Sequence, residues 1–161
     1  EAYRAWLNKH SLTPQDSELL MLGEISEADR AQLNALNLTP HLSSAQPVPF
    51  TRAPEVLGHV DLLLDLMGPN HHMQIGGKLY DYLACNRPIL SISPNTELDE
   101  LFSATQAGER VELNTEAIIG ALERAYNAKR EGHPFTPNAE AVHELSAGPI
   151  TAQLADILRF L

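Results

Sequence analysis

The sequence predicts an α/β fold in which helices cover both faces of a parallel sheet. Short apolar runs alternate with stretches of helical periodicity along the chain. The runs are apolar at nearly every position, which is typical of parallel strands buried on both faces. The helical stretches, of roughly ten residues, suit the crossover between two parallel strands. Since a domain has about 150 residues, residues 1–161 are predicted to form a single domain.

Five segments are predicted to be strands, because each is short, mainly apolar and bounded by turn residues. They are residues 18–23, 39–45, 61–67, 89–93 and 110–113. Ligands on parallel sheets bind beyond the carboxyl ends of the strands. This rule points to the loops that follow Gly23, Met67, Ser93 and Leu113.

The predicted helices lie between these strands. Ser26 and Thr115 each precede apolar residues at helical spacing, as helix N-caps do. The residue before a proline leaves the α-helical region, so Arg87 and Pro88 end the helix before the fourth strand. The helices are predicted over residues 26–37, 51–59, 77–86, 97–107, 115–126 and 150–161, with a loop over residues 132–138.

The charge and cysteine content argue against several classes of partner. The chain has 11 basic and 21 acidic residues, for a formal net charge of −10. Binding to a nucleic-acid polymer or to anionic lipid requires a basic surface. Cys85 is the only cysteine, so no internal disulfide can form, and a reducing compartment is favoured. No run reaches the ~18 apolar residues of a membrane span.

The segment from Met67 to Ser93 holds most of the polar groups suited to ligand binding. Gly76, Gly77 and Lys78 lead from a polar loop into a helix, and free amides at a helix start favour phosphate. The spacing is not that of a P-loop. A glycine pair that only breaks the chain before a solvated lysine is the structural alternative.

Residues 77–90, G-K-L-Y-D-Y-L-A-C-N-R-P-I-L, resemble the nucleotide-sugar motif of group-1 GT-B glycosyltransferases. The flanking order is similar as well: residues 19–23, 60–67, 108–113 and 115–126 match the family's strands and following helix. The resemblance implies a Rossmann-like, three-layer α/β/α lobe, the C-terminal donor-binding half of a GT-B fold. It also implies that residues 1–17 are the helix after a first strand.

The resemblance implies roles for several residues. Asp81 matches the acidic residue that accepts hydrogen bonds from the donor ribose, although the family usually has a longer glutamate there. Gly76, Gly77 and Lys78 would lie near the diphosphate, and Arg87 is a further candidate cation. Met73 stands where many members carry a second glutamate.

His71 and His72 would face the donor sugar or contact its phosphate. Adjacent histidines point in different directions, so they are not expected to share a metal. The resemblance implies a nucleoside-diphosphate sugar as substrate and no metal cofactor, and it assigns no catalytic residue. Cys85 has no base paired with it and is expected to be structural.

The expected activity is therefore glycosyl transfer from a nucleotide sugar, in glycan, lipid or polysaccharide biosynthesis. The partner would be the protein's own N-terminal acceptor lobe, without which no turnover is expected. The resemblance implies a cytoplasmic location, or the inner face of the membrane through the rest of the protein. A non-catalytic Rossmann-like scaffold and a sugar-nucleotide epimerase of the same fold are the alternatives.

Overall fold

The computed structural model describes residues 1–159, apart from the side chain of Phe50. Five strands are present: β1 (Leu19–Leu22), β2 (Leu42–Ala45), β3 (Leu63–Leu66), β4 (Ile89–Ile92) and β5 (Gly108–Val111). The helices are α1 (Ala2–His10), α2 (Glu27–Ala35), α3 (Ala53–Leu57), α4 (Gly77–Leu83), α5 (Glu97–Thr105), α6 (Thr115–Arg130), α7 (Ala139–Glu144) and α8 (Ala147–Arg159). Short 3-10 turns precede β2 and α3, at Thr39–His41 and Phe50–Arg52.

All strand pairs are parallel, which confirms the predicted Rossmann-like α/β class. The strands form two sheets: a pair in the order β1-β2 and a triplet in the order β3-β4-β5. The sequence predicts one sheet, and the division falls between β1 and β3, which do not pair with each other.

The triplet has helices on both faces. Ile89 of β4 packs in the cluster beneath α4 and α5, together with Leu79 and Phe102. Leu90, the next residue, packs on the opposite face against Ala121 of α6. The alternation follows from the period of two along a strand, and it makes β4 the most deeply buried strand.

A buried polar pair joins β3 to β4 at the centre of the triplet. Ser91 Oγ donates to Oδ2 of Asp65 at 2.7 Å, and both residues are buried. A carboxylate that is buried without a hydrogen-bond donor would destabilise the fold. Ser91 supplies that donor to Asp65, which accounts for a polar residue within the apolar strand β4.

The predicted elements differ from the observed ones mainly at their ends. The helix predicted over residues 77–86 ends at Leu83, because residues 84–86 form a turn in which Asn86 has a φ of 51°. The last helix begins at Ala147, and the predicted residues 160 and 161 lie outside the described part. Sequence reasoning missed α7, whose N-cap is Asn138. No helix within residues 1–159 is long and apolar enough to cross a membrane.

Candidate functional site

The loops at the carboxyl edge of the triplet form the candidate site. Residues 67–76 follow β3, residues 93–96 follow β4, and residues 112–114 follow β5. Because the three strands are parallel and adjacent, these loops emerge from the same edge of the sheet. Five of the six predicted binding residues lie in the first loop or at the start of α4, and Asp81 lies one turn further along that helix.

Lys78 and Asp81, in the first turns of α4, have no side-chain partners among the described residues. Gly76 is the N-cap, with extended backbone and no side chain to occupy the first free amides. Lys78 is exposed and forms no ion pair with any described residue. Asp81 is half-buried, and its carboxylate accepts no hydrogen bond from the described side chains. Both groups are therefore available to a ligand.

Buried residues fix the position of α4. Leu79 has no exposed surface and Leu83 is buried, and both pack into the cluster beneath α4 and α5. Lys78 and Asp81 stand three residues apart on the same helix, so they lie near each other on its surface. Leu79 and Leu83 thus anchor the helix that carries the two polar groups.

The two histidines have different surroundings. Nδ1 of His71 lies 2.7 Å from Oε1 of Gln74, and the His71 ring lies beside Gly68. His72 is exposed and has no hydrogen bond to another described side chain. No group of three or more His, Cys, Asp or Glu residues within residues 1–159 is placed to hold a metal ion. Met73 is 88% exposed.

Cys85 and Arg87 lie after the C-terminal end of α4. Arg87 donates from Nε to the carbonyl of Gly58 at 2.6 Å. It lies two positions before Ile89, the first residue of β4, and therefore at the amino edge of the sheet, away from the predicted diphosphate site. Burial raises the pKa of the Cys85 thiol, and its Sγ contacts the carbonyl oxygen of Asp81. A thiol in this state is protonated and poorly nucleophilic.

The loop after β4 contains a polar network that sequence reasoning missed. Ser93 and Asn95 are fully buried. The backbone amide of Asn95 donates to Ser93 Oγ at 3.1 Å. The side-chain Oδ1 of Asn95 accepts from the backbone amide of Glu97 at 3.0 Å. Nδ2 of Asn95 has no partner in the described structure. The sequence shows a turn before a helix there, but it does not show that the turn is buried.

Hydrogen bonds from Arg110 connect this loop to α5. Its Nη1 donates to the carbonyl of Ser93 at 2.9 Å, and its Nε and Nη2 donate to both carboxylate oxygens of Asp99 at 2.8 and 2.9 Å. These hydrogen bonds from the guanidinium lower the pKa of Asp99. The pair fixes the end of β4 relative to α5.

Replacing Asp99 with asparagine is expected to destabilise the protein in a pH-dependent way. Since the pKa of Asp99 is lowered by folding, its contribution is present above the ordinary carboxyl value of ~3.9 and is lost as the pH falls through the lowered pKa. Urea unfolding should show a deficit in the variant at neutral pH that disappears in acid. Asp156→Asn, in an exposed pair with Arg159, is the control; an equal deficit at every pH would contradict the assignment.

Two surface cavities lie away from α4. One of about 360 Å³ is lined by α5 and β5 residues that include Phe102 and Arg110. The other, of about 250 Å³, lies beyond the carboxyl ends of β1 and β2, where Gly23, Arg30 and Ala45 line it. None of the predicted binding residues lines either cavity. Residues 71–74, Gly77 and Lys78 are exposed, so these parts of the candidate site lie at the protein surface.

Comparison with known proteins does not assign the chain to a family, since no protein-family model and no curated protein sequence matches it. The fold is thus known from the structure, and the function rests on the residues at the carboxyl edge.

Proposed function

We propose that this domain binds the nucleoside-diphosphate sugar of a glycosyltransferase, for transfer of the sugar to an acceptor in glycan, lipid or polysaccharide biosynthesis. The observation that carries the proposal is that Lys78 and Asp81, near the carboxyl edge of a parallel sheet, have no side-chain partners among the described residues. The resemblance of residues 77–90 to the nucleotide-sugar motif supports the same assignment.

Lys78 supplies positive charge where the diphosphate would lie. The chain has a net charge of −10, and the lysine is not neutralised by any described carboxylate. The first amides of α4 follow Gly76 and Gly77, whose lack of side chains leaves them open to a ligand. During transfer, negative charge grows on the departing diphosphate, and a fixed cation and amides would stabilise that charge.

Asp81 supplies a carboxylate where the ribose would lie. A carboxylate accepts hydrogen bonds from both hydroxyls of a diol, and such charge-assisted bonds are strong and directional. The half-buried position of Asp81 increases their strength, since water competes less for the carboxylate. The fixed position of α4 on its buried leucines sets the distance between the ribose and diphosphate sites.

One observation favours a second candidate, a non-catalytic domain of the same fold. Met73 is 88% exposed at the position where many group-1 members carry a glutamate near the transferred sugar. A domain without that carboxylate could still bind a nucleotide while lacking transfer activity. A sugar-nucleotide epimerase would share the nucleotide site as well. Product analysis with a labelled acceptor separates transfer from epimerisation and from binding alone.

Calorimetric titration with UDP, GDP and TDP is the test of the nucleotide site. At least one of the three is expected to bind, and Lys78→Ala is expected to weaken it roughly 10- to 150-fold, because a hydrogen bond to a charged group contributes about 1.5–3 kcal/mol. Lys129→Ala is the matched control. It removes the same charge at the end of α6, where Lys129 pairs with Asp61.

Two results would count against the proposal in different ways. If none of the three nucleotides binds the folded protein, the donor-domain proposal fails. If a nucleotide binds and neither Lys78→Ala nor Asp81→Ala weakens it, the nucleotide is bound elsewhere and the site assignment is wrong. The proposed function also implies a location. The domain would act in the cytoplasm, or at the inner face of the cytoplasmic membrane.

A further inference from the structure

Strand β5 is the outer strand of the triplet, and within residues 1–159 it pairs on one side only. The carbonyl groups of Ala107 and Val111 accept hydrogen bonds from amides of the β4 segment. In a parallel pair the backbone groups of successive residues point alternately toward the neighbouring strand and away from it. The backbone groups of Gly108 and Arg110 therefore point away from β4, along what we call the open edge of β5.

The cavity of about 360 Å³ borders this open edge. Residues 108–110 of β5 line it together with Phe102 and Ser103 of α5. Phe102 gives the cavity an apolar surface, and Ser103 adds a hydroxyl group. A further strand laid along β5 would direct every second side chain toward the face that α5 covers. The cavity is thus placed to receive one side chain of such a strand.

The charged side chains of β5 are held in ion pairs on the two faces of the sheet. Glu109 pairs with Arg124 of α6, and Arg110 pairs with Asp99 of α5. Edge strands are commonly protected from pairing by unbalanced charges, prolines or bulges. β5 has the sequence GERV, with no proline, and its register with β4 is regular. Neither the charges nor the backbone of β5 therefore prevents the addition of a strand.

The surroundings of the open edge are acidic. Hydrogen bonds to Asp99, together with the charges of Asp99 and Glu112, raise the pKa of Arg110, which places Glu112 near the guanidinium group. Glu112 is exposed and forms no ion pair with any described residue. Glu100, the residue after Asp99, is exposed in the same way. The carboxylates outnumber the single guanidinium, so this edge favours a basic partner.

We propose that the open edge of β5 binds an extended, lysine- or arginine-containing segment of a partner protein, which adds one strand to the triplet. Backbone hydrogen bonds to Gly108 and Arg110 hold the segment, one of its side chains enters the cavity against Phe102, and a basic side chain pairs with Glu112. In strand addition the main chain supplies affinity and alternate side chains supply specificity. The edge, the cavity and the local charge carry this inference, and it does not depend on the proposed function.

Hydrogen exchange of the full chain with added peptides tests the proposal. The probe is a capped hexapeptide of alternating lysine and valine. At saturating probe, the amides of Gly108 and Arg110 should exchange on the order of 10-fold more slowly, because they become hydrogen-bonded. The amide of Val111, which points toward β4, is the internal reference and should not change.

Two control peptides separate the ladder from the charge. One replaces the lysines with glutamates, which the acidic edge should repel. The other keeps the lysines and replaces the valines with prolines, which cannot donate to the ladder. Neither control peptide should slow exchange at Gly108 or Arg110.

Glu112→Gln tests the proposed ion pair with a change at an exposed side chain. It should weaken binding of the probe roughly 2- to 5-fold, the range for an exposed pair of charges. Glu144→Gln in α7 is the matched control, since it removes the same charge from an exposed side chain that does not line the cavity. Equal affinities of the two variants would contradict the contact with Glu112.

Three outcomes of the exchange experiment would overturn the proposal. Unchanged exchange at Gly108 and Arg110 with the probe would show that the edge does not accept a strand. Equal slowing by the glutamate peptide would show that the edge does not select a basic segment. Slow exchange without any peptide that depends on protein concentration would make a second copy of the chain the occupant.

Discussion

Replacing Gly108 with alanine is expected to destabilise the protein by about 3 kcal/mol or more. A Cβ at this position would overlap the carbonyl oxygen of Ile89, and it would lie 2.8 and 2.9 Å from that residue's carbonyl carbon and amide nitrogen. These are backbone atoms of β4, the neighbouring strand, so no side-chain rotation can relieve the overlap. The variant should unfold at a markedly lower urea concentration.

Gly120→Ala is the matched control for Gly108→Ala. At Gly120, in the interior of α6, a Cβ would meet only the flexible end of Arg124 at 3.4 Å. Alanine is favoured over glycine inside a helix by up to ~1 kcal/mol, so this variant should be as stable as the original protein or more so. Equal stability of the two variants would contradict the close approach of β4 and β5.

Replacing Leu79 with alanine is expected to cost about 2–5 kcal/mol, the range for deleting a buried leucine side chain. Leu79 has no exposed surface, and it lies in the cluster that includes Leu63, Ile89 and Leu98. The variant leaves a cavity beneath α4, the helix that carries Lys78 and Asp81. Urea unfolding would measure the loss of stability.

Leu158→Ala is the control for Leu79→Ala, since it deletes the same atoms from a side chain that is 59% exposed. Its effect should stay within about 0.5 kcal/mol, as for most surface changes. A loss at Leu79 no larger than that at Leu158 would show that α4 is not anchored as described.

The parallel strands could be predicted from the sequence because their signal is local. Runs such as residues 61–67 and 89–93 are short and mainly apolar, and that pattern needs no tertiary information. The role of Gly108 could not be predicted in the same way. The local pattern places it between a helix that ends at residue 107 and a strand that begins at residue 110, and only the family resemblance includes it in a strand. It is the first residue of β5, held against the backbone of β4. Such a contact between strands leaves no pattern along the chain.

The division of the strands into two sheets could not be predicted from local sequence patterns either. Each strand has the composition of a buried parallel strand, and composition does not state which strands are neighbours. α7 was missed because its six residues are too few to show a helical period.

The candidate site was predicted in part. The sequence places Gly76, Gly77, Lys78 and Asp81 at the start of a helix, and the structure has them there. It could not show that Arg87 is held away from the carboxyl edge of the sheet, because its hydrogen bond to the carbonyl of Gly58 joins residues 29 positions apart. The buried network at Asn95 also depends on contacts between residues distant in sequence. Its burial follows from the packing of β4 between β3 and β5, which no local pattern shows.

The proposed contact between Asp81 and the ribose of a nucleoside diphosphate can be tested directly by one measurement. The nucleoside diphosphate that binds most tightly and its 2′,3′-dideoxy analogue would be titrated into the original protein and into Asp81→Ala. The original protein should prefer the natural nucleotide. The variant should lose that preference, because the Asp81 carboxylate that it lacks is the proposed partner of the two ribose hydroxyls. If the variant retains the same preference, Asp81 does not contact the ribose, and the proposed orientation of the nucleotide is wrong.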